Sequence, residues 1–179
     1  VHRDVTPANI YVCRMGLDYD FVKVLDFGLV TASDRSMEQT LVTGMHTTAG
    51  TPTFMPPEIV LDGEVDERAD VYALGCVAYY LLTGGNVFEA DTPMKMFVQH
   101  LHTLPVPPSD RAELPVPSDV DALVLACLEK DPGRRPQNAA ELLRMIDECQ
   151  TARPWAPADA KAWWEEHLVD LAEPAPLVH

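Results

Sequence analysis

Residues 1–28, VHRDVTPANIYVCRMGLDYDFVKVLDFG, contain two short β-prone runs around a Gly/Asp turn. The runs IYVCRM and FVKVL are rich in β-branched and aromatic residues, so they predict a β-hairpin over residues 10–25. Asp4 and Asn9 precede this hairpin, and Asp26 follows it directly. Because the two ends of a hairpin lie side by side, we expect two carboxylates and one amide to converge at one end of it.

Such a set of side chains is suited to phosphoryl transfer. One carboxylate can orient an attacking hydroxyl and accept its proton, and the other oxygens are hard ligands of the kind that Mg²⁺ prefers. The alternative for each residue is an ordinary loop Asp or Asn that caps a turn.

Four more motifs follow HRDxxxxN in order along the chain: DFG, GTPTFMPPE, DVYALG and DPGRRP. This order over residues 1–150 resembles the eukaryotic-type protein kinase family. The phrases HRDVTPAN, LACLEKDPGRRPQNAAEL and DAKAWWEEH are similar to its bacterial Ser/Thr members. The resemblance implies a protein-kinase-like α+β fold, here mainly the α-helical C-terminal lobe with a short β-hairpin.

The resemblance also implies roles for individual residues. Asp4 positions the substrate hydroxyl, and Asn9 and Asp26 hold the Mg²⁺ ions that accompany ATP. Tyr11 falls where the family places an apolar residue beneath the adenine ring, although it is equally a candidate for a plain core residue of the hairpin. Thr6 occupies a catalytic position where Ser/Thr kinases usually have a Lys that contacts the γ-phosphate. A hydroxyl cannot supply that positive charge.

Other residues are implied to support the active geometry. Glu58 resembles the buried ion-pair partner of Arg135, and Asp70 resembles the acceptor for the backbone of the HRD segment. Arg3 is the feature that the family associates with phosphorylation of the activation loop. The candidate acceptors are Thr40, Thr43, Thr47 and Thr48, and a solvated Thr-rich loop is the alternative. His2 and Phe27 are implied to pack in the stack that links the two lobes.

A glycine-rich phosphate loop, a strand Lys and a helix Glu of the family type do not occur ahead of the HRD motif in this sequence. We therefore expect the N-terminal lobe to be absent, so that the chain is a fragment that is inactive alone. The parent is predicted to transfer the γ-phosphoryl of ATP to protein Ser/Thr hydroxyls. The competing prediction is a pseudokinase that serves as a scaffolding module, with Thr6 as the mark of weakened chemistry.

Composition limits the possible partners and the compartment. The 179 residues carry a formal net charge of −15, which disfavours nucleic acid and anionic membrane surfaces and leaves a protein substrate. The four cysteines lie far apart without CxxC spacing, as expected of buried thiols in a cytoplasmic protein. No apolar run is long enough to cross a bilayer. The oligomeric state is not determined by the sequence.

Helical periodicity organises the rest of the chain. A core helix is predicted over residues 66–83, a second over 93–102 with His100 and His102 solvated, and two more behind the capping boxes Ser118-x-x-Asp121 and Asn138-x-x-Glu141. We therefore predict a kinase C-terminal lobe over residues 1–150 and a tail over residues 151–179. The tail carries a short Trp-rich helix that either docks on the lobe or presents Trp163 and Trp164 to a partner.

Overall fold

The structure is a computed structural model, and it describes residues 1–26, 52–61, 63–150 and 155–167. In these ranges the strands are β1 (Ile10–Met15) and β2 (Asp18–Val24). The α-helices are α1 (Pro57–Val60), α2 (Glu67–Thr83), α3 (Pro93–His102), α4 (Ser118–Cys127), α5 (Ala139–Glu148) and α6 (Pro157–His167). A mainly helical structure with one short hairpin is therefore what the described residues form, as predicted.

Helix α2 is the centre of the core. The side chain of Asp66 caps its first turn by accepting from the Arg68 amide, and Gly84 ends it in the left-handed conformation (φ 70°). Both ends agree with the prediction to within a residue. The core cluster forms around this helix from residues of several elements, namely Tyr72, Cys76, Tyr79, Val87, Phe88, Met96, Val124 and Leu128.

Helices α2 and α4 approach each other closely at Gly75. A Cβ atom built on Gly75 would lie 2.7 Å from the Cβ of Cys127 and 3.3 Å from Cδ2 of Leu128. Glycine is therefore required here by packing, although it is a poor helix former.

The hairpin has a tighter turn than predicted. Met15 pairs with Asp18, so the turn consists of Gly16 and Leu17, and β2 begins three residues earlier than the expected FVKVL run. Gly16 adopts φ 65°, the left-handed conformation that glycine provides without strain. Most side chains of both strands are exposed, so the hairpin projects from the helical core.

The capping predictions had mixed outcomes. Asn138 accepts from the Glu141 amide at 2.9 Å, which confirms the start of α5, and Thr92 caps α3 in the same way. The box at Ser118 was wrong. Helix α4 begins at Ser118 without a side-chain cap, because Pro117 occupies the cap position, and the Asp121 carboxylate accepts hydrogen bonds from the amide and hydroxyl of Ser109 instead.

The tail helix α6 docks on the chain, with Ala160 buried and contacts to β2. The boundary at residue 150 between lobe and tail stays a prediction. Several predictions lie outside the described residues: the roles of Phe27 and of the candidate phosphorylation sites Thr40, Thr43, Thr47 and Thr48. Within the described ranges, every helix is too short or too polar to cross a bilayer.

Candidate active site

The segment at the start of the chain is held by the first turn of α2. The two carboxylate oxygens of Asp70 accept from the backbone amides of His2 at 2.6 Å and Arg3 at 2.7 Å. Arg3 has φ 70°, a left-handed conformation that is uncommon for a residue with a side chain. Two charge-assisted hydrogen bonds hold this backbone, as the sequence predicted for Asp70.

Asp4 and Asn9 meet directly. The Nδ2 group of Asn9 donates to Oδ2 of Asp4 at 2.8 Å and to the Asp4 carbonyl oxygen at 2.9 Å. A 3-10 turn over Pro7–Asn9 makes this possible, because the Asn9 amide returns to the Thr6 carbonyl at 3.0 Å. The five-residue spacing in the sequence thus brings a carboxylate and an amide into one compact loop.

The hairpin brings Asp26 towards the same place. Ile10 pairs with Val24, and the Leu25 amide donates to the Asn9 carbonyl at 2.8 Å, so Asp26 follows a residue bonded to Asn9. The His2 ring contacts the Leu25 carbonyl through Nε2 at 3.1 Å. Asp26 is exposed and adopts φ 54°. The backbone leading to Asp26 therefore lies beside Asn9, and the convergence of the Asp26 carboxylate with Asp4 and Asn9 stays a prediction.

Asn9 and Asp26 carry oxygens of the kind that Mg²⁺ prefers. Because the Asn9 nitrogen points at Asp4, its side-chain carbonyl oxygen is the atom left for a metal, and the exposed Asp26 carboxylate offers a second hard oxygen. No cluster of three or more His, Cys, Asp or Glu side chains arranged for a metal occurs in the described part of the chain.

Thr6 and Tyr11 differ in their surroundings. Thr6 is 6% exposed and lines a small cleft of about 20 Å³ together with Asp4, Phe54 and Asp70. Tyr11 is 53% exposed on β1. The alternative of a plain hairpin core residue therefore does not describe Tyr11, and contact with an adenine ring stays a prediction.

The predicted ion pair between Glu58 and Arg135 is confirmed. The guanidinium donates to both carboxylate oxygens, at 2.7 and 2.8 Å, and the Arg135 side chain is fully buried. Arg135 also donates to the carbonyl oxygens of Arg68 at 3.0 Å, Glu129 at 2.7 Å and Lys130 at 3.2 Å. The pair joins α1, which follows the GTPTFMP stretch, to Arg135, whose bond to the Arg68 carbonyl then reaches the start of α2.

A buried polar cluster that the sequence did not predict lies beside the pair of Glu58 and Arg135. His100 is completely buried rather than solvated, and its Nδ1 lies 2.8 Å from the Tyr72 hydroxyl. The Nζ atom of Lys130 lies 3.3 Å from the same hydroxyl and 4.5 Å from the Phe88 ring centroid. Burial, with a smaller effect of Lys130, lowers the pKa of His100 to about 4. The four-residue spacing from the apolar Met96 was the one sign in the sequence that His100 lies on the buried face of α3.

Residues 1–146 match the family model of the protein kinase domain. The chain belongs to the protein kinase family.

The relatives narrow that class to bacterial Ser/Thr kinases of the eukaryotic type, as the motifs predicted. The chain is 40% identical over 154 residues to the serine/threonine-protein kinase PknB of Mycobacterium leprae, covering 86% of the chain and 24% of the relative. PknB of Mycobacterium tuberculosis is 42% identical over 145 residues, 79% of the chain and 22% of the relative. The kinase pkn3 of Myxococcus xanthus is 36% identical over 140 residues, 78% of the chain and 26% of the relative. The chain thus spans about a quarter of the length of these curated relatives.

Proposed function

We propose that this chain supplies the C-terminal-lobe part of an ATP-dependent Ser/Thr protein kinase, which transfers the γ-phosphoryl group of ATP to protein hydroxyls. The observation that carries the proposal is the hydrogen bond from the Asn9 side chain to the Asp4 carboxylate. It fixes the position of an acid next to a metal-binding amide. Family membership supports the reaction type.

The roles of the residues follow from their contacts. Asn9 occupies one carboxylate oxygen of Asp4, so the other oxygen is the one that would orient the substrate hydroxyl and take its proton. The Asn9 carbonyl oxygen and Asp26 would hold Mg²⁺, which when bound neutralises charge on the ATP phosphates. Asp70 fixes the backbone that carries Asp4, so the acid is positioned before substrate arrives.

Substitution in a reconstructed kinase domain, with a glycine-rich loop and Lys-bearing strand joined ahead of Val1, tests these roles. Asp26→Asn should abolish turnover, and Asp4→Asn should lower kcat by ~10²-fold or more. Asp18→Asn removes the same charge from an exposed position of β2 and should leave kcat unchanged. Unchanged thermal melts with activity surviving both site substitutions would contradict the proposal.

The 179-residue chain by itself should show no appreciable phosphoryl transfer. In phosphoryl transfer most of the catalysis comes from groups of both kinase lobes that position ATP between them. A radiolabelled-ATP assay with a basic protein substrate measures this, and robust transfer by the chain alone would contradict the assignment to one lobe.

A second candidate, a pseudokinase that serves as a scaffolding module, is favoured by the burial of Thr6. A buried hydroxyl supplies no cation to the γ-phosphate. If Thr6 merely weakens the chemistry, Thr6→Lys in the reconstructed domain should raise turnover ~10-fold, or about 1.4 kcal/mol of barrier. Unchanged or lower turnover would mean that the site works without this cation. Turnover that is absent in both proteins, with Mg-ATP still bound, would favour the pseudokinase.

The proposed substrate is a protein, and the proposed compartment is the cytoplasm, where ATP is available. Cys76 and Cys127 are buried thiols, as predicted, whereas Cys13 and Cys149 are only half-buried, which is a correction to that prediction. The net charge of −15 favours a basic substrate segment and disfavours nucleic acid.

A further inference from the structure

Two indoles of the tail segment Trp155–His167 donate to a single carboxylate of the hairpin, that of Asp20. The indole nitrogen of Trp155 donates to Oδ2 of Asp20 at 2.7 Å, and that of Trp164 donates to Oδ1 at 2.7 Å. The two tryptophans lie nine residues apart, one before α6 and one in its last turns. Each oxygen of Asp20 thus has its own donor, and one acid binds both ends of the segment.

The backbone of β2 is shaped to present this carboxylate. Between the pairs Cys13–Phe21 and Met15–Asp18, the single residue Arg14 faces both Tyr19 and Asp20, which is a β-bulge. Asp20 is the bulge residue with positive φ, 56°. A bulge redirects a side chain out of the regular alternation of a strand, and Asp tolerates the left-handed conformation better than most residues do. The distortion coincides with the residue that holds both indoles.

The hairpin has little other support from the helices. Among the described elements, α6 makes the broadest contact of any α-helix with either strand, and that contact is to β2. Apolar residues along the hairpin remain exposed, including Val12 at 55% and Val22 at 55%. An isolated two-stranded hairpin is marginally stable in water. Its orientation therefore depends on what is docked against it.

We propose that the segment Trp155–His167 is a clamp that positions the hairpin, and that Asp20 is a positioning residue for the site at the other end of the two strands. That end carries Asn9 and Asp26, joined by the hydrogen bond from the Leu25 amide to the Asn9 carbonyl. Release of the clamp loosens this end of the hairpin. The consequence for phosphoryl transfer rests on the proposed function, whereas the loosening itself does not.

The test uses the whole 179-residue chain, with Asp20→Asn compared to Asp18→Asn on the same strand. In Asp20→Asn an amide N–H group replaces one of the two carboxylate oxygens that accept the indole hydrogen bonds. Nitrogen-15 NMR should show both indole N–H signals shifted in Asp20→Asn only. Amide exchange at Leu25 should accelerate at least ~10-fold, with less than ~2-fold change in Asp18→Asn. Exchange at Tyr79 in the core should stay constant.

A second pair of variants removes one of the two indole donors, Trp164, and compares it with a neighbouring Trp that does not donate to Asp20. Trp164→Phe should accelerate exchange at Leu25, and its neighbour Trp163→Phe should not, because Trp163 stacks on His167 with ring centroids 4.7 Å apart and is 45% exposed. Leu25 exchange unchanged in both Asp20→Asn and Trp164→Phe would overturn the proposal, as would equal acceleration at Tyr79. If the reconstructed domain without substitutions is inactive, while exchange at Leu25 is accelerated in the Asp20→Asn chain, the proposed function is overturned and the proposed clamp is supported.

Discussion

Replacement of Arg135 should be among the most destabilising single changes in this chain. Its guanidinium is fully buried and donates to both oxygens of Glu58 and to three backbone carbonyl oxygens. The guanidinium carbon Cζ of Arg135 also lies 4.8 Å from the Tyr72 ring centroid. Arg135→Met therefore leaves a carboxylate with 10% exposed side chain and no buried counter-charge.

The magnitude follows from the uncompensated charge. Removal of one partner of a buried ion pair typically costs about 3–5 kcal/mol, against a total stability of about 5–15 kcal/mol for a domain. Arg135→Lys keeps the charge but cannot form the bidentate contact, so it should cost less, about 1–3 kcal/mol. The double variant Glu58→Leu with Arg135→Met removes both charges and should recover part of the loss.

Urea unfolding followed by far-ultraviolet circular dichroism measures these differences. Arg134→Met is the matched control, because Arg134 is 73% exposed and its nearest carboxylate, that of Asp131, is 4.0 Å away. This control should change stability by less than about 0.5 kcal/mol. A cost below about 1 kcal/mol for Arg135→Met would contradict the role of the buried pair, as would a double variant whose loss of stability exceeds the summed losses of the two single variants.

Three further outcomes are expected. The pKa of His100 is about 4 in the folded chain and about 6.5 in the unfolded chain, so as the pH falls the imidazole takes up its proton in the unfolded chain first. Stability should therefore fall by up to about 3 kcal/mol as the pH is lowered from 6.5 to 4, and urea titrations of His100→Asn should show a flatter dependence. Gly75→Ala should cost about 1–3 kcal/mol in the same assay, because the clash with Cys127 outweighs the gain in helix propensity, and a neutral result would contradict the close approach. Asp70→Asn should accelerate amide exchange at His2 ~10-fold while Glu67→Gln, one turn earlier, leaves it unchanged, and equal rates in both variants would contradict the role of Asp70.

The sequence predicted those features that depend on local patterns. The hairpin, the bounds of the helix predicted over residues 66–83 and the start of α3 at Pro93 are of this kind, and the Asp66 cap and Gly84 that fix the two ends of α2 lie within a residue of its bounds. The Asp4–Asn9 contact also arises from a five-residue spacing closed by a 3-10 turn. Resemblance to the family added Asp70 and the pair of Glu58 with Arg135, which lie far apart in the sequence.

Features that depend on competition between distant partners were missed. Asp121 fits the pattern of a capping box, yet Ser109 from a preceding turn binds its carboxylate, and no local pattern contains that information. His100 was expected to be solvated because His is a polar residue, but α3 places it in the core against Tyr72 and Phe88. The bulge at Asp20 is likewise explained only by indoles more than 130 residues later.

The two halves of the candidate site have separate supports. The backbone before Asp4 is bonded to Asp70, and two residues earlier on α2 the Arg68 carbonyl accepts from Arg135, so the loop that carries Asp4 and the buried ion pair share the start of α2 as their anchor. Loss of that anchor therefore affects the fold and the loop together. The turn end of the hairpin is instead bonded to the tail through Asp20. Because that contact lies outside the core cluster, the proposed clamp predicts that the end of the hairpin with Asn9 and Asp26 can be loosened while the helical core stays folded.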